Sequence, residues 1–340
     1  MISNNNNNNN NADAQSEQNN SVDQQQADRD LALQCWYLTG ATASGKSDVS
    51  LALARKIDAE IISLDSMAIY RNMDIGTAKP SIQQQQEVDH HLLDIVDPNE
   101  TFSVSQYRDA ALEKIREIFD RGKHVLFVGG TALYLKALLR GLFDGPPADW
   151  EFRKKIEQEL SQCDEEELFK RLQIVDPVSS HKLHPNDRRR IVRALEVYYQ
   201  TGTPISHWQT EFENATAGES CKVFTLRHNR AILHQRIEAR VHSMFERGLI
   251  EEVQSLLENY KELSHTAAQA VGYKEVIRFL NAELDREKTF ERVLVRTRRF
   301  ARHQETWFRG LEECRILDLD EQWNAEFISD RLIQLASESE

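Results

Sequence analysis

The chain is poor in the features that would tie it together covalently or place it in a membrane. It has four cysteines in 340 residues, Cys35, Cys163, Cys221 and Cys314. They lie far apart and form no C-x-x-C pair, which argues against a zinc site and a disulfide scaffold and fits a reducing compartment. No apolar run approaches the roughly 20 residues of a membrane helix. The start has neither a basic segment nor an apolar stretch, so it does not read as a signal peptide, and the cytoplasm is the expected location. Residues 1–30 are also short of apolar side chains. They hold the unbroken run Asn4 to Asn11 and read as a disordered tail. No internal repeat is present.

Hydrophobic residues make up 40% of the chain, enough for one large core or two modest ones. The net charge of −13 argues against a nucleic-acid partner, but the two ends carry most of it. Between them, Lys288 to Arg309 and Arg188-Arg189-Arg190 with Arg193 are basic clusters. Local patches matter more for binding than the total.

One loop dominates the rest. Gly40-Ala41-Thr42-Ala43-Ser44-Gly45-Lys46-Ser47 matches the phosphate-binding pattern G-x-x-x-x-G-K-[ST]. The stretch 34–38 before it reads as a buried strand, and 48–57 after it as a helix. Backbone N–H groups and the helix N-terminus then face a phosphate, Lys46 adds a positive charge, and the Ser47 hydroxyl can hold Mg2+. Strands at 60–64 and 124–128 alternate with helices at 103–121 and 131–140. That alternation predicts an α/β fold, a P-loop NTPase-like parallel sheet with a helical insertion. Gly145-Pro146-Pro147 marks a boundary, and 150–210 is helical in pattern. The expected organisation is a tail at 1–30, a core from 31–148 and 220–340, and an insertion at 149–219. A polar link at 215–219 leads to a strand at 221–226, followed by mainly helical sequence, a strand at 314–317 and a last helix at 324–336.

Ligands of parallel sheets bind at the carboxyl ends of strands. The loop, Asp65 and Thr131 all lie there. Asp65 reads either as a site acid or as the cap of a turn, and Thr131 as a site residue, a helix cap or both. Phosphate-loop hydrolases usually hold magnesium with an acid at the end of a second apolar strand; here the most apolar candidate ends in Gly129-Gly130-Thr131 and the other in Asp65-Ser66, which weakens a hydrolase or kinase reading. Arg236 and Arg240 lie one helical turn apart. His90-His91 and His181 with His184 lack a matching acid and read as structural. Trp307 reads as core.

The stretch Asp65-Ser66-Met67-Ala68-Ile69-Tyr70 through Gly76-Thr77-Ala78-Lys79-Pro80, taken with the loop, resembles the bacterial tRNA dimethylallyltransferases (tRNA isopentenyltransferases). The resemblance continues through Val128-Gly129-Gly130-Thr131, His184-Pro185-Asn186-Asp187, Arg236-Ile237-Glu238, Val271-Gly272-Tyr273-Lys274 and Gln304 to Arg309, in order over residues 34–318. It implies transfer of a dimethylallyl group from dimethylallyl diphosphate to the N6 amine of the adenosine immediately 3′ of the tRNA anticodon. Asp65 would then be the proton acceptor, with Thr131 beside the reacting centre. Residues 40–47 and Arg240 would contact diphosphate. The tRNA contacts it implies are Asp65, Ser66, Met67, Ala68, Thr131, Arg153, Arg189, Arg190, Ile191, Val192, Arg193, Gln269, Ala270, Val271, Gly272, Tyr273 and Lys274. Ala68 stands where many members have Gln, which puts one base contact in doubt. The competing readings are an adenylate isopentenyltransferase acting on free nucleotide and a small-molecule phosphate-loop kinase. The basic clusters favour tRNA over a free nucleotide. A monomer with no membrane partner is expected.

Overall fold

A computed structural model of the protein describes residues 24–141, 145–160, 165–208, 221–320 and 322–338. The Asn run, Cys163 and the polar link at 215–219 lie outside them. The chain divides into two compact units, one from residues 1–139 and 217–340, the other from 140–216.

The first unit is built on a six-stranded sheet with the order β3-β2-β4-β1-β5-β6. The strands are β1 (Trp36–Gly40), β2 (Ala59–Leu64), β3 (His90–His91), β4 (His124–Gly129), β5 (Lys222–His228) and β6 (Arg315–Leu319). Every pairing is parallel. Parallel sheets are covered on both faces, so their strands read as near-continuous apolar runs. Successive side chains then serve opposite faces. On one face, Tyr37, Ile62, Phe127 and Val223 pack with residues of the helices Val104–Asp120 and Ala132–Arg140. On the other, Trp36, Leu38, Ile61, Leu126 and Phe224 pack with residues of the helices Lys46–Ile57 and Ala325–Ser337. A third apolar cluster joins Ile69, Tyr70 and Met73 to residues of the helices Leu249–Tyr260 and Tyr273–Leu280.

Two expectations about the chain's organisation change. Residues 24–33 are helical, so the tail does not extend to residue 30. Ala32 of this helix is fully buried in the first core, and Asp28 pairs with Arg108 and Arg116. The second unit begins at residue 140 rather than 149. The Pro146 carbonyl accepts from Arg193 (2.7 Å), and the Asp149 N–H donates to Glu196 (2.7 Å), which ties the Gly-Pro-Pro segment to the insertion. Within that unit the helical stretch is broken into Trp150–Leu160, Glu165–Val175, Pro177–Lys182, Arg188–Thr201 and a short turn of helix at 205–208. Asp176 caps one of these starts and Asp187 another.

Candidate active site

The ends of β1, β2 and β4 are neighbours in the sheet, and this brings three distant sequence features together. Leu64 pairs with Gly129 and Thr39 with Gly129 from the other side. A Cβ at Gly129 would lie 2.1 Å from the Leu64 carbonyl oxygen, so only glycine lets these strand ends approach. The next turns then touch. Thr131 accepts from the Ser66 N–H through Oγ1 (3.0 Å), and its own N–H donates to the Leu64 carbonyl (3.1 Å).

The phosphate loop leaves β1 at Gly40 and enters the helix Lys46–Ile57 through Gly45, whose φ of 90° lies in the left-handed region. The turn is held from outside itself. The Gln304 amide accepts from the Thr42 N–H (2.8 Å) and donates to the Gly130 carbonyl (2.9 Å), bridging the loop and the exit of β4. Arg236 Nε donates to the Ala43 carbonyl (2.7 Å) while its guanidinium lies over the Trp323 ring. His228 Nε2 donates to the Ser44 carbonyl (3.1 Å). The Lys46 ammonium donates to the Gly40 (3.0 Å) and Ala41 (2.7 Å) carbonyls. Ser47 is exposed in the first turn of the helix.

Arg240 reaches the same place from the helix Arg230–Glu246. Its Nη2 donates to the Thr77 carbonyl (3.3 Å), and its buried Nε has no hydrogen-bond partner among the described residues. Burial, with repulsion from Arg240 and against attraction from Asp65, lowers the Lys46 pKa to about 7. Burial also lowers that of Arg240, again against Asp65. Two cations, a carboxylate and the loop therefore share one electrostatic environment. A buried guanidinium N–H without a partner suits an anion.

Asp65 follows β2 directly. Its Oδ1 accepts from the N–H groups of Met67 (2.8 Å) and Ala68 (3.4 Å), so it caps the turn 65–68. Both bonds fall on one oxygen. Capping therefore leaves the other oxygen of the carboxylate unspent, and the two sequence readings of Asp65 are compatible. Ser66 and Met67 are half-buried in that turn, and Ala68 is buried.

The remaining expected contacts divide by burial. In the stretch 269–274, Lys274 donates to the Gln269 side chain (2.7 Å), Val271 is half-buried, and the Gly272 N–H donates to Glu275 (3.1 Å). Tyr273 and Ala270 are buried in the third apolar cluster. In the second unit, Arg188, Arg189 and Arg190 are exposed at the start of the helix Arg188–Thr201, while Ile191 and Val192 are buried in that unit's own core. Ala270, Tyr273, Ile191 and Val192 thus differ from the exposed arginines. Their side chains support a surface from below and do not present one.

Arg153 and Arg193 are partly exposed and share one buried partner. Both grip Glu196, which is fully buried. Arg153 donates to both of its oxygens (2.8 and 2.8 Å), and Arg193 donates to Oε2 (2.5 Å). Burial would raise the Glu196 pKa, but the hydrogen bonds from the two guanidinium groups and from the Asp149 N–H outweigh it and lower the pKa. The two arginines therefore neutralise a buried carboxylate, whatever else they contact. Trp307 is 39% exposed and is not core, whereas Phe308 is buried. His91 bonds Glu60 (2.6 Å), and Glu60 is also gripped by Arg121.

Sequence reasoning missed Glu252 and Trp323, and gave Glu196 no role although it sat in the recognised run Arg193-Ala194-Leu195-Glu196. Each is a single ordinary residue within an amphipathic or polar stretch, and its importance lies in what packs on it. Gln304 sat inside a recognised motif, but nothing in its spacing showed that it spans the loop and β4.

The model of the IPP transferase family matches residues 68–311. The chain belongs to the IPP transferase family. Within it, a tRNA dimethylallyltransferase of Rhodopirellula baltica is 48% identical over 286 residues, 82% of this chain and 86% of the relative. A tRNA dimethylallyltransferase 2 of Geotalea uraniireducens is 45% identical over 80% of this chain and 87% of its own length. The family's solved structures have the same fold. The tRNA isopentenylpyrophosphate transferase of Bacillus halodurans gives a TM-score of 0.65 at 33% identity, covering 90% of this chain and 98% of its own. A eukaryotic dimethylallyltransferase, crystallised in snapshots acting on tRNA, gives 0.72 at 30% identity, covering 89% and 78%. The phosphate loop at 40–47 precedes the family-model match, whereas Asp65 lies three residues before it and Thr131, Arg240 and Glu252 lie inside it.

Proposed function

We propose that this chain prenylates tRNA, transferring a dimethylallyl group from dimethylallyl diphosphate to the N6 amine of the adenosine immediately 3′ of the anticodon. The arrangement that supports the chemistry is Lys46 on the loop after β1, Asp65 in the turn after β2, and Arg240 bonded to the Thr77 carbonyl, with both cations within the electrostatic reach of Asp65. A diphosphate leaving group needs fixed positive charge where its own negative charge develops. The loop N–H groups, Lys46 and the Arg240 Nε supply it. The adenine amine needs an acceptor for its proton, and Asp65 stands beside those cations. In the transfer, the bond between N6 and the allylic carbon forms and the carbon–oxygen bond breaks. The electron pair leaves with diphosphate, and the amine proton goes to Asp65. Thr131 holds the Ser66 backbone and so fixes the turn that carries Asp65.

Mg2+ would be held by the exposed Ser47 hydroxyl, consistent with a metal that takes few protein ligands. It would spread the charge of the leaving group. In the second unit, Arg188, Arg189 and Arg190 form the surface suited to the RNA backbone. A soluble, cytoplasmic monomer is the corresponding reading. No helix among the described residues is long and apolar enough to cross a membrane.

The test is a labelled dimethylallyl transfer assay run in parallel with tRNA, AMP and ATP. Label should enter tRNA alone. Label entering AMP or ATP at a comparable rate would instead favour the free-nucleotide activity.

A further inference from the structure

Two distinctive stretches, Asp74-Ile75-Gly76-Thr77 and Val271-Gly272-Tyr273-Lys274, carry no reacting group, yet Glu252 joins them. Its Oε2 accepts from the backbone N–H of Asp74 (2.9 Å) and of Ile75 (2.7 Å). Its Oε1 accepts from the N–H of Gly76 (3.2 Å) and from the Tyr273 hydroxyl (2.6 Å). The buried Tyr273 ring lies so near Gly76 that a Cβ there would come within 2.3 Å of it. The residue after this cradle is Thr77, and its carbonyl accepts from Arg240 Nη2. A continuous series of contacts therefore runs from Tyr273 through Glu252 and the 74–77 backbone to Arg240.

We propose that Glu252 is a positioning residue for the diphosphate site: it fixes the 74–77 backbone, and through the Thr77 carbonyl it holds the Arg240 guanidinium with Nε turned to the anion. The role rests on the diphosphate-transfer reading above. Four donors on one carboxylate fix both of its oxygens, and charge-assisted bonds of this kind are stronger than neutral ones. A Gln at 252 keeps the size but sets an NH2 group against backbone N–H groups. The 74–77 segment then loses its register, and Arg240 loses its orienting acceptor. Preorganised charge is what such a site contributes, so a loosened guanidinium weakens anion binding without touching the anion itself.

The decisive measurement is calorimetric binding of inorganic diphosphate to wild type, Glu252→Gln, Arg240→Ala and the double variant. Each single variant should bind about tenfold more weakly or worse, equivalent to the loss of one charge-assisted bond. The double variant should bind no more weakly than Arg240→Ala alone. tRNA affinity should stay within about twofold for Glu252→Gln. The pH at which diphosphate affinity falls should rise in Glu252→Gln, because a loosened Arg240 presses less on Lys46. Additive losses in the double variant, or unchanged affinity in Glu252→Gln, would overturn the role. If Glu252→Gln fails to fold, Tyr273→Phe takes its place in the same cycle, with a smaller loss that must again vanish in the Arg240→Ala background. The cycle reads diphosphate binding alone. A protein that passes it but transfers nothing to tRNA would count against the tRNA-prenylation reading and leave the role of Glu252 standing.

Discussion

Binding of the diphosphate donor should take up a proton, and Lys46 should be where it goes. Burial and the neighbouring Arg240 bring its pKa down to about 7. At pH 8 such a group is charged in only about a tenth of molecules, by simple titration. A diphosphate placed on the loop supplies the counter-charge that burial removed, so Lys46 returns towards its ordinary value and is charged when bound. The difference is about 0.9 proton taken up per donor bound at pH 8, about half a proton at pH 7, and near zero at pH 6. The donor's own ionisation is removed by comparison with Lys46→Met. The assay is calorimetry in two buffers of different ionisation enthalpy, with the wild-type value minus the variant value taken at each pH. The sign for stability follows from the same shift. Between pH 7 and 10.5 the unfolded chain holds the Lys46 proton and the native protein does not, so this group makes the free protein more stable as pH rises through that window. Below it the penalty is constant, and Lys46→Met should melt higher than wild type there. Equal proton uptake by wild type and Lys46→Met at pH 8 would refute the assignment of the loop lysine as the charge-compensating group.

Asp65→Asn keeps the turn cap but cannot accept the amine proton; its single-turnover transfer rate should fall roughly 10²–10⁴-fold with both substrates bound normally, and wild-type turnover would rule it out as acceptor. Changing Arg188 and Arg189 together to Ala should flatten the slope of log tRNA affinity against log salt by up to about two, and an unchanged slope would make them a solvated face. Arg153→Ala removes two charge-assisted bonds from buried Glu196 and should cost about 2–3 kcal/mol of stability, read by thermal melting, before any effect on RNA is interpreted. Deleting residues 2–23 should leave the melting temperature unchanged, whereas deletion through residue 33 should lower it by removing Asp28 and Ala32 from the first core.

The sequence by itself determined the phosphate loop, the α/β class and the positions of most strands. These are local: a glycine-rich turn needs its residues adjacent, and an apolar run between polar turns reports its own burial. Asp65 and Thr131 were legible as strand-end residues for the same reason. Their meeting was not, because it depends on β2 and β4 lying side by side, a pairing of residues 65 apart that leaves no mark in either segment. Burial also could not be read from charge. That Arg153 and Arg193 both pair with Glu196, hidden on the helix between apolar neighbours, is visible only in the structure. Asp28 likewise looks like tail until Arg108 and Arg116 close on it. Glu252 shows the limit most plainly: its two oxygens are satisfied by three backbone donors and one hydroxyl that come from two separate parts of the chain. Backbone N–H groups have no sequence identity, so only the tertiary structure could decide that this carboxylate, among the many in an acidic chain, is the one on which the 74–77 turn is built.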